Sequence, residues 1–193
     1  MKGPAPALLL AAFMVTALAA CTLGARRGGH EDGPGAPPGN LDRIADARPR
    51  SEPLNRGANS PYTELGRKYV PYQSLTPYRQ RGIATWYGRK FHGKRTSSGE
   101  RYDMYAMTAA HTILPIPSYA RVTNLSNGRS IVVRVNDRGP FHPERIIDLS
   151  YAAAYKLGFV NAGSVRVEVE AILPRSSAAA REPPALESMA AAR

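Results

Sequence analysis

The chain is poor in cysteine, tryptophan and phenylalanine, with one, one and four among 193 residues. A single thiol, Cys21, cannot close an internal disulfide, so no covalent framework sets the fold. Long apolar runs are also missing. The one sustained stretch, Ala5 to Ala17, is interrupted by Pro6 and Thr16 and is too short to span a bilayer as a permanent helix. No Lys/Arg block suggests a nucleic-acid arm. A Gly-rich phosphate loop, a Gly-x-Ser-x-Gly elbow and a Cys/His pair are absent, which removes the usual signals of phosphoryl transfer and serine or cysteine nucleophiles. His92, His111 and His142 lack the paired spacing of a metal site, so no metal and no cofactor are expected. Acidic residues are outnumbered 15 to 26, leaving a formal charge of +11. That balance favours anionic partners such as an acidic polymer, a membrane surface or cell wall. About half of the excess falls in residues 81–173.

What is present begins with an export signal. Lys2 is followed by an apolar segment with Leu8-Leu9-Leu10 and Phe13-Met14-Val15 at its heart, the pattern of a signal peptide over residues 1–20. Leu18-Ala19-Ala20-Cys21 resembles a bacterial lipobox. That resemblance implies cleavage before Cys21, lipidation of its thiol and a membrane anchor, since several acyl chains hold where one is marginal. Thr22 is not an aspartate, so the expected location is the periplasmic side of the outer membrane rather than the inner one.

From Thr22 to about Pro61, glycine and proline dominate and few apolar side chains intervene, so residues 21–61 read as a disordered tether. Residues 62–80 carry Tyr62, Leu65, Tyr69, Val70, Tyr72 and Tyr78, too many apolar faces for a linker, and read as an arm packing on a domain. The folded unit is expected over 81–173. Ile83 to Tyr87 reads as a strand, and Tyr119–Asn124 and Arg129–Val135 read as a hairpin across an Asn-Gly turn. Arg145–Leu149 is another strand. Ser150 then caps a short helix, Tyr151 to Leu157, closed by Gly158. In the last strand Val165, Val167 and Val169 face one way and Arg166, Glu168 and Glu170 the other. Short strands, one or two short helices and many turns predict a mainly β fold, a small β-barrel. Residues 174–193 are an Ala-rich tail without strand periodicity, and no internal repeat is present.

The chemistry concentrates in two clusters. Val135-Asn136-Asp137-Arg138-Gly139-Pro140-Phe141 places a carboxylate where a strand becomes a loop. Upstream lie Ser98-Gly99-Glu100, Asp103 and Thr108-Ala109-Ala110-His111, read as polar turns. Glycosidic bond cleavage needs a proton for the leaving oxygen and a stabilised oxocarbenium-like centre, which two carboxyl groups supply. Glu100 and Asp137 are the candidates, with His111 to orient a carboxylate or meet a sugar hydroxyl. Two loop acids capping turns would give the same spacing. Asp148, within Ile146-Ile147-Asp148-Leu149, reads as a partly buried acid paired with an arginine. Trp86, Tyr87, Phe91 and Phe141 offer flat faces for sugar rings, and Arg138 a cation for a substrate carboxylate.

In order and spacing, Gly82-Ile83-Ala84-Thr85-Trp86-Tyr87-Gly88, Phe91-His92-Gly93, Ser98-Gly99-Glu100, Met107 to His111, Val122-Thr123-Asn124, Val135 to Phe141 and Arg145 to Ser150 resemble the rare lipoprotein A family. The resemblance covers about residues 80–173. It implies a six-stranded double-psi β-barrel and a lytic transglycosylase acting on peptidoglycan, with a preference for glycan strands stripped of stem peptides. It puts that family's active-site acids on Glu100 and Asp137 and its histidine on His111. Asp137 is then the expected proton donor, helped by Glu100. In the Ala-rich residues after Leu173, no counterpart of the sporulation-related repeat domain that many members carry is expected. A monomer is expected, with peptidoglycan and the membrane as partners and no nucleic acid. The alternative is an expansin-like lipoprotein that binds wall glycan without cleaving it.

Overall fold

In the computed structural model, residues 39–173 are described. The leader, Cys21 and the Ala-rich tail lie outside them. Eight strands and one helix follow in order: β1 Tyr62–Glu64, β2 Arg67–Tyr69, β3 Arg79–Tyr87, β4 Thr108–His111, β5 Ser118–Asn124, β6 Ser130–Asp137, β7 Arg145–Ser150, α1 Tyr151–Leu157 and β8 Ser164–Ile172. β3 to β8 close a barrel in the order β3-β7-β4-β6-β5-β8. β3 with β7 and β4 with β6 run parallel; the other four ladders are antiparallel. This is the double-psi β-barrel.

Strand alternation decides which side chains fill it. Ile131, Val133 and Val135 of β6, Ile147 and Leu149 of β7, and Val167 and Val169 of β8 are almost completely buried. Burying each such side chain contributes roughly 1.5–3 kcal/mol. α1 lies over one end. Ser150 Oγ accepts the Ala153 N–H at 3.2 Å, and Gly158, at φ 81°, sends its N–H back to Ala154 and Tyr155. The left-handed conformation explains the glycine there.

Two expectations give way. β4 was read as a polar turn, but Thr108 to His111 is a short central strand between β6 and β7. Its alanines gave no strand propensity; burial on the inner face overrides that weak preference. The second correction concerns residues 39–61, expected as tether. They form a strap against the barrel. Because β4 is short, β6 has unmatched backbone groups at Val132. The strap supplies both partners: Ala47 N–H donates to Val132 O (3.0 Å), and Val132 N–H donates to Asp46 Oδ2 (3.0 Å). Asp46 also pairs with Lys156 at 2.7 Å, Leu41 is buried in the core, and Asn59 exchanges two 2.8 Å hydrogen bonds with the backbone of Ile116. Composition does not show which backbone and polar side-chain groups of a segment will find partners on a barrel edge.

The β1–β2 hairpin turns through Leu65 (φ 47°) and Gly66 (φ 72°). Tyr62 and Tyr69 stack at 5.1 Å and both rest on Phe141. The arm 62–80 therefore leads into β3, which starts at Arg79 rather than Arg81.

Candidate active site

A groove of about 460 Å³ crosses the outside of the barrel where β3, β7, β4 and β6 lie side by side. Its floor is one row of ladder partners. Thr85 of β3 pairs with Asp148 of β7, Asp148 with Ala110 of β4, and Ala110 with Asp137 of β6. All four line the groove. Cross-strand partners share a face of the sheet, so the two carboxylates stand on either side of a side chain no larger than a methyl group. Two ladder steps put their backbones roughly 10 Å apart.

Asp137 reaches that face through an irregularity. Val133 and Val135 point into the core, and regular alternation would send Asp137 after them. The β4–β6 register shifts instead, pairing Ala109 with Val135 but Ala110 with Asp137. One extra residue, Asn136, is absorbed, and the bulge re-aims the next side chain. Asp137 is then gripped by one oxygen. Oδ1 accepts hydrogen bonds from Ser97 N–H (2.8 Å), Ser97 Oγ (2.7 Å) and Arg138 N–H (2.8 Å). Nothing among the described residues hydrogen-bonds Oδ2.

Glu100 lies outside the groove lining. Both its oxygens meet Arg134 Nη1, at 2.9 and 2.8 Å, and Asn136 Nδ2 donates to Oε2 at 2.9 Å. Arg134 is held from its other side by Glu52 of the strap, whose carboxyl its hydrogen bonds hold down to about 2. The pairing of Glu100 with Asp137 across one groove is therefore not what the structure has. Glu100 braces the bulge that aims Asp137, and the second carboxylate on the groove is Asp148.

His111 is also displaced from its expected place. It follows Ala110 in β4, so its side chain points to the opposite face, where it is 1% exposed beside Ile147. Nδ1 accepts from the N–H groups of Ile113 (3.2 Å) and Leu114 (3.0 Å), which leaves the proton on Nε2, 3.1 Å from Tyr78 Oη. Burial, with the Arg138 guanidinium nearby, pushes its pKa down to about 3. An unfolded histidine binds a proton near pH 6.5. Between those values the unfolded state takes up a proton that the folded state refuses, so His111 makes stability fall as pH drops from about 6.5 towards 3. Thermal unfolding followed across that range should show the decline, and His111→Gln should flatten it relative to the unaltered protein.

Arg138 lines the groove, but its guanidinium is engaged by the protein itself. Its guanidinium donates to Ala58 O (3.0 Å), His111 O (2.9 Å), Leu114 O (2.6 Å) and Asn59 Oδ1 (2.7 Å). It ties the strap to the segment after β4, and burial brings its pKa down to about 10. The expected contact to a substrate carboxylate is corrected to a positioning role.

Trp86, Tyr87, Phe91 and Phe141 all line the groove. Trp86 donates Nε1–H to Val160 O at 3.2 Å and leans on Tyr151. Tyr87 stacks on Tyr102 at 4.1 Å and meets Phe91 edge-on. Phe91 is 41% exposed, with Lys90 and Lys94 nitrogens 6.0 and 5.6 Å from its ring centre. Phe141 closes the far side, and Leu65 at the hairpin tip overhangs the groove although it is 76% exposed. Among the described residues no cluster of three His, Cys, Asp or Glu could hold a metal ion.

Sequence reasoning missed Asp148 as a groove residue, and Thr85, Ser97 and Leu65 with it. Asp148 does pair with Arg145, at 2.7 Å, and Thr85 Oγ1 donates to its other oxygen. Its place between the buried Ile147 and Leu149 was a legible sign of an outward direction; that Asp137 would stand beside it was not.

Residues 79–169 match a protein family described as lytic transglycolase. The endolytic peptidoglycan transglycosylase RlpA of Neisseria meningitidis serogroup A is 57% identical over 138 residues, 72% of this chain and 58% of that protein. RlpA of Vibrio cholerae is 52% identical over 161 residues, 83% of this chain and 61% of that protein. The chain thus spans about three-fifths of the length of these relatives. A solved Clavibacter michiganensis expansin overlaps 51% of this chain and 52% of its own at a TM-score of 0.41 and 18% identity, too loose a fit to carry function across. With its barrel, its groove and identities above one half, the chain belongs to the rare lipoprotein A family.

Proposed function

We propose that the protein is a lytic transglycosylase that cuts the bond between N-acetylmuramic acid and N-acetylglucosamine in peptidoglycan. The observation that carries this is Asp137, fixed through Oδ1 with Oδ2 free on a groove walled by aromatic rings. The relatives' names, which speak of peptidoglycan transglycosylases, point the same way. The reaction breaks the muramyl C1–O4 bond, and the muramyl C6 hydroxyl attacks C1. A 1,6-anhydro end results and no water is consumed. Attack from within the same ring makes the step intramolecular, where geometry alone removes several kcal/mol of barrier. The Asp137 carboxylate faces the positive charge that develops at C1. Glu100, through Arg134 and Asn136, and Arg138, through the strap, hold that carboxylate in place.

The substrate is peptidoglycan strands lacking stem peptides, reached by a monomer anchored through Cys21 at the periplasmic side of the outer membrane. Purified protein incubated with glycan strands, with and without amidase treatment, should yield anhydro-muramyl ends by mass spectrometry, more from the treated strands. Binding without such ends would leave the expansin-like reading instead. Globomycin-sensitive processing and palmitate labelling that vanish in Cys21→Ala test the anchor.

A further inference from the structure

We infer that Asp148 is the catalytic acid, the group that protonates the leaving oxygen, and that Asp137 is its basic partner. This rests on the transglycosylase reading above.

Three structural observations carry it. The first is the row Thr85–Asp148–Ala110–Asp137 across four adjacent strands. It gives the groove two carboxyl groups facing one small floor residue, as cleavage of a glycosidic bond requires. Glu100 offers no such place, since it does not line the groove and is held beside Arg134 and Asn136. The second is the contrast between the two acids. Asp148 side-chain exposure is 14%, on a groove also lined by the loop from Arg138 to His142, and burial disfavours the charged carboxylate. That raises its pKa although the Thr85 hydroxyl and the Arg145 guanidinium pull the other way. Asp137 accepts three hydrogen bonds at one oxygen, an arrangement that suits a carboxylate. A buried carboxyl group and a solvent-side one on the same groove divide into proton donor and acceptor. The third is Thr85. Its hydroxyl fixes the rotamer of Asp148, so the acid is oriented before substrate arrives.

The step balances without a co-reactant. Asp148 gives its proton to O4 of the departing N-acetylglucosamine as the C1–O4 bond breaks. The muramyl C6 oxygen bonds to C1, and its hydroxyl proton passes to Asp137. Exchange with solvent returns Asp148 to the acid and Asp137 to the carboxylate, ready for the next turnover.

The charged and titratable groups near Asp148 are Arg145 on its own strand, Asp137 on β6, Arg138 and His142 on the loop, Tyr87 on β3 and Tyr102 stacked on it, with the Thr85 hydroxyl across the ladder. Removing Arg145 takes away the cation that favours the ionised form. An acid works only while protonated, so activity is lost as pH rises through its pKa. Arg145→Gln should therefore move the alkaline limb of kcat upward by about one pH unit.

The test uses the purified full-length protein, an Asp148→Asn variant and two substrates: glycan strands, and an aryl β-glycoside of N-acetylmuramic acid whose phenolate departs without a proton. Loss of a general acid should lower release of anhydro ends from strands at least about 100-fold and turnover of the aryl glycoside less than about 10-fold. Equal losses on both substrates, or wild-type release of anhydro ends by Asp148→Asn, overturn the assignment and leave the transglycosylase reading standing. No anhydro ends from the unaltered protein overturns that reading, and the assignment with it. Should Asp148→Asn fail to fold, the Arg145→Gln profile decides: an unmoved alkaline limb overturns the assignment.

Discussion

Asparagine in place of Asp137 should reduce release of anhydro-muramyl ends by about a thousand-fold, within the range for removing a positioned acid–base group. The substitution isolates charge from structure. An amide oxygen can accept the same three hydrogen bonds that Oδ1 receives from Ser97 and Arg138, and the amide nitrogen falls where Oδ2 meets the groove. The bulge and its braces are untouched, so thermal unfolding should shift by no more than a few degrees. What disappears is the negative charge opposite the reacting carbon and the capacity to take a proton. Binding of amidase-treated strands should survive, because the aromatic walls remain. Turnover within tenfold of the unaltered protein, in a sample with an unchanged melting curve, would remove Asp137 from the chemistry.

Arg138→Ala should cost about 3–5 kcal/mol of stability, the scale for removing one member of a buried charged network. The magnitude follows from what the guanidinium satisfies. It donates to three backbone carbonyls and to the Asn59 amide oxygen, drawn from the strap and from the segment after β4. An alanine takes the donor from three part-buried carbonyls, at about 1–3 kcal/mol for each that finds no water, while Asn59 Oδ1 keeps the Ile116 N–H. Lysine would restore the charge but not the fork of donors, and should rescue only part of the loss. The denaturant midpoint should fall with little change in slope. A midpoint within error of the unaltered protein would mean that the strap and the barrel do not depend on this contact.

The strands that declare themselves in the sequence are those with one face in the core and one in water. β8 reads correctly because Val165, Val167 and Val169 alternate with charged residues, and the helix reads correctly because Ser150 and Gly158 mark its two ends. The site is another matter. Asp137 could be located at a strand end, but its direction could not, since that depends on a bulge set by the register against β4, whose Ala110 lies 27 positions earlier. Ser97 gave no sign of gripping it. His111 sits one residue from the groove floor, and a single step along a strand sends a side chain to the other face. The strap escaped notice because its binding is done by backbone groups and by Asp46 and Glu52, which looked like ordinary solvated acids among glycines and prolines.

The bulge at Asn136 has a further consequence, and it concerns counting. With Asn136 removed, β6 would regain plain alternation and its carboxylate would still turn outward, but the Asn136 groups that bind Glu100 Oε2 and the Ser98 N–H would be lost. With one residue more, Arg138 would leave the carbonyls it binds. The turn from Leu125 to Arg129, by contrast, meets solvent on most sides and can lengthen at little cost. Length variation between relatives should therefore gather in that turn and be excluded from the five residues that follow Arg134, whatever their side chains.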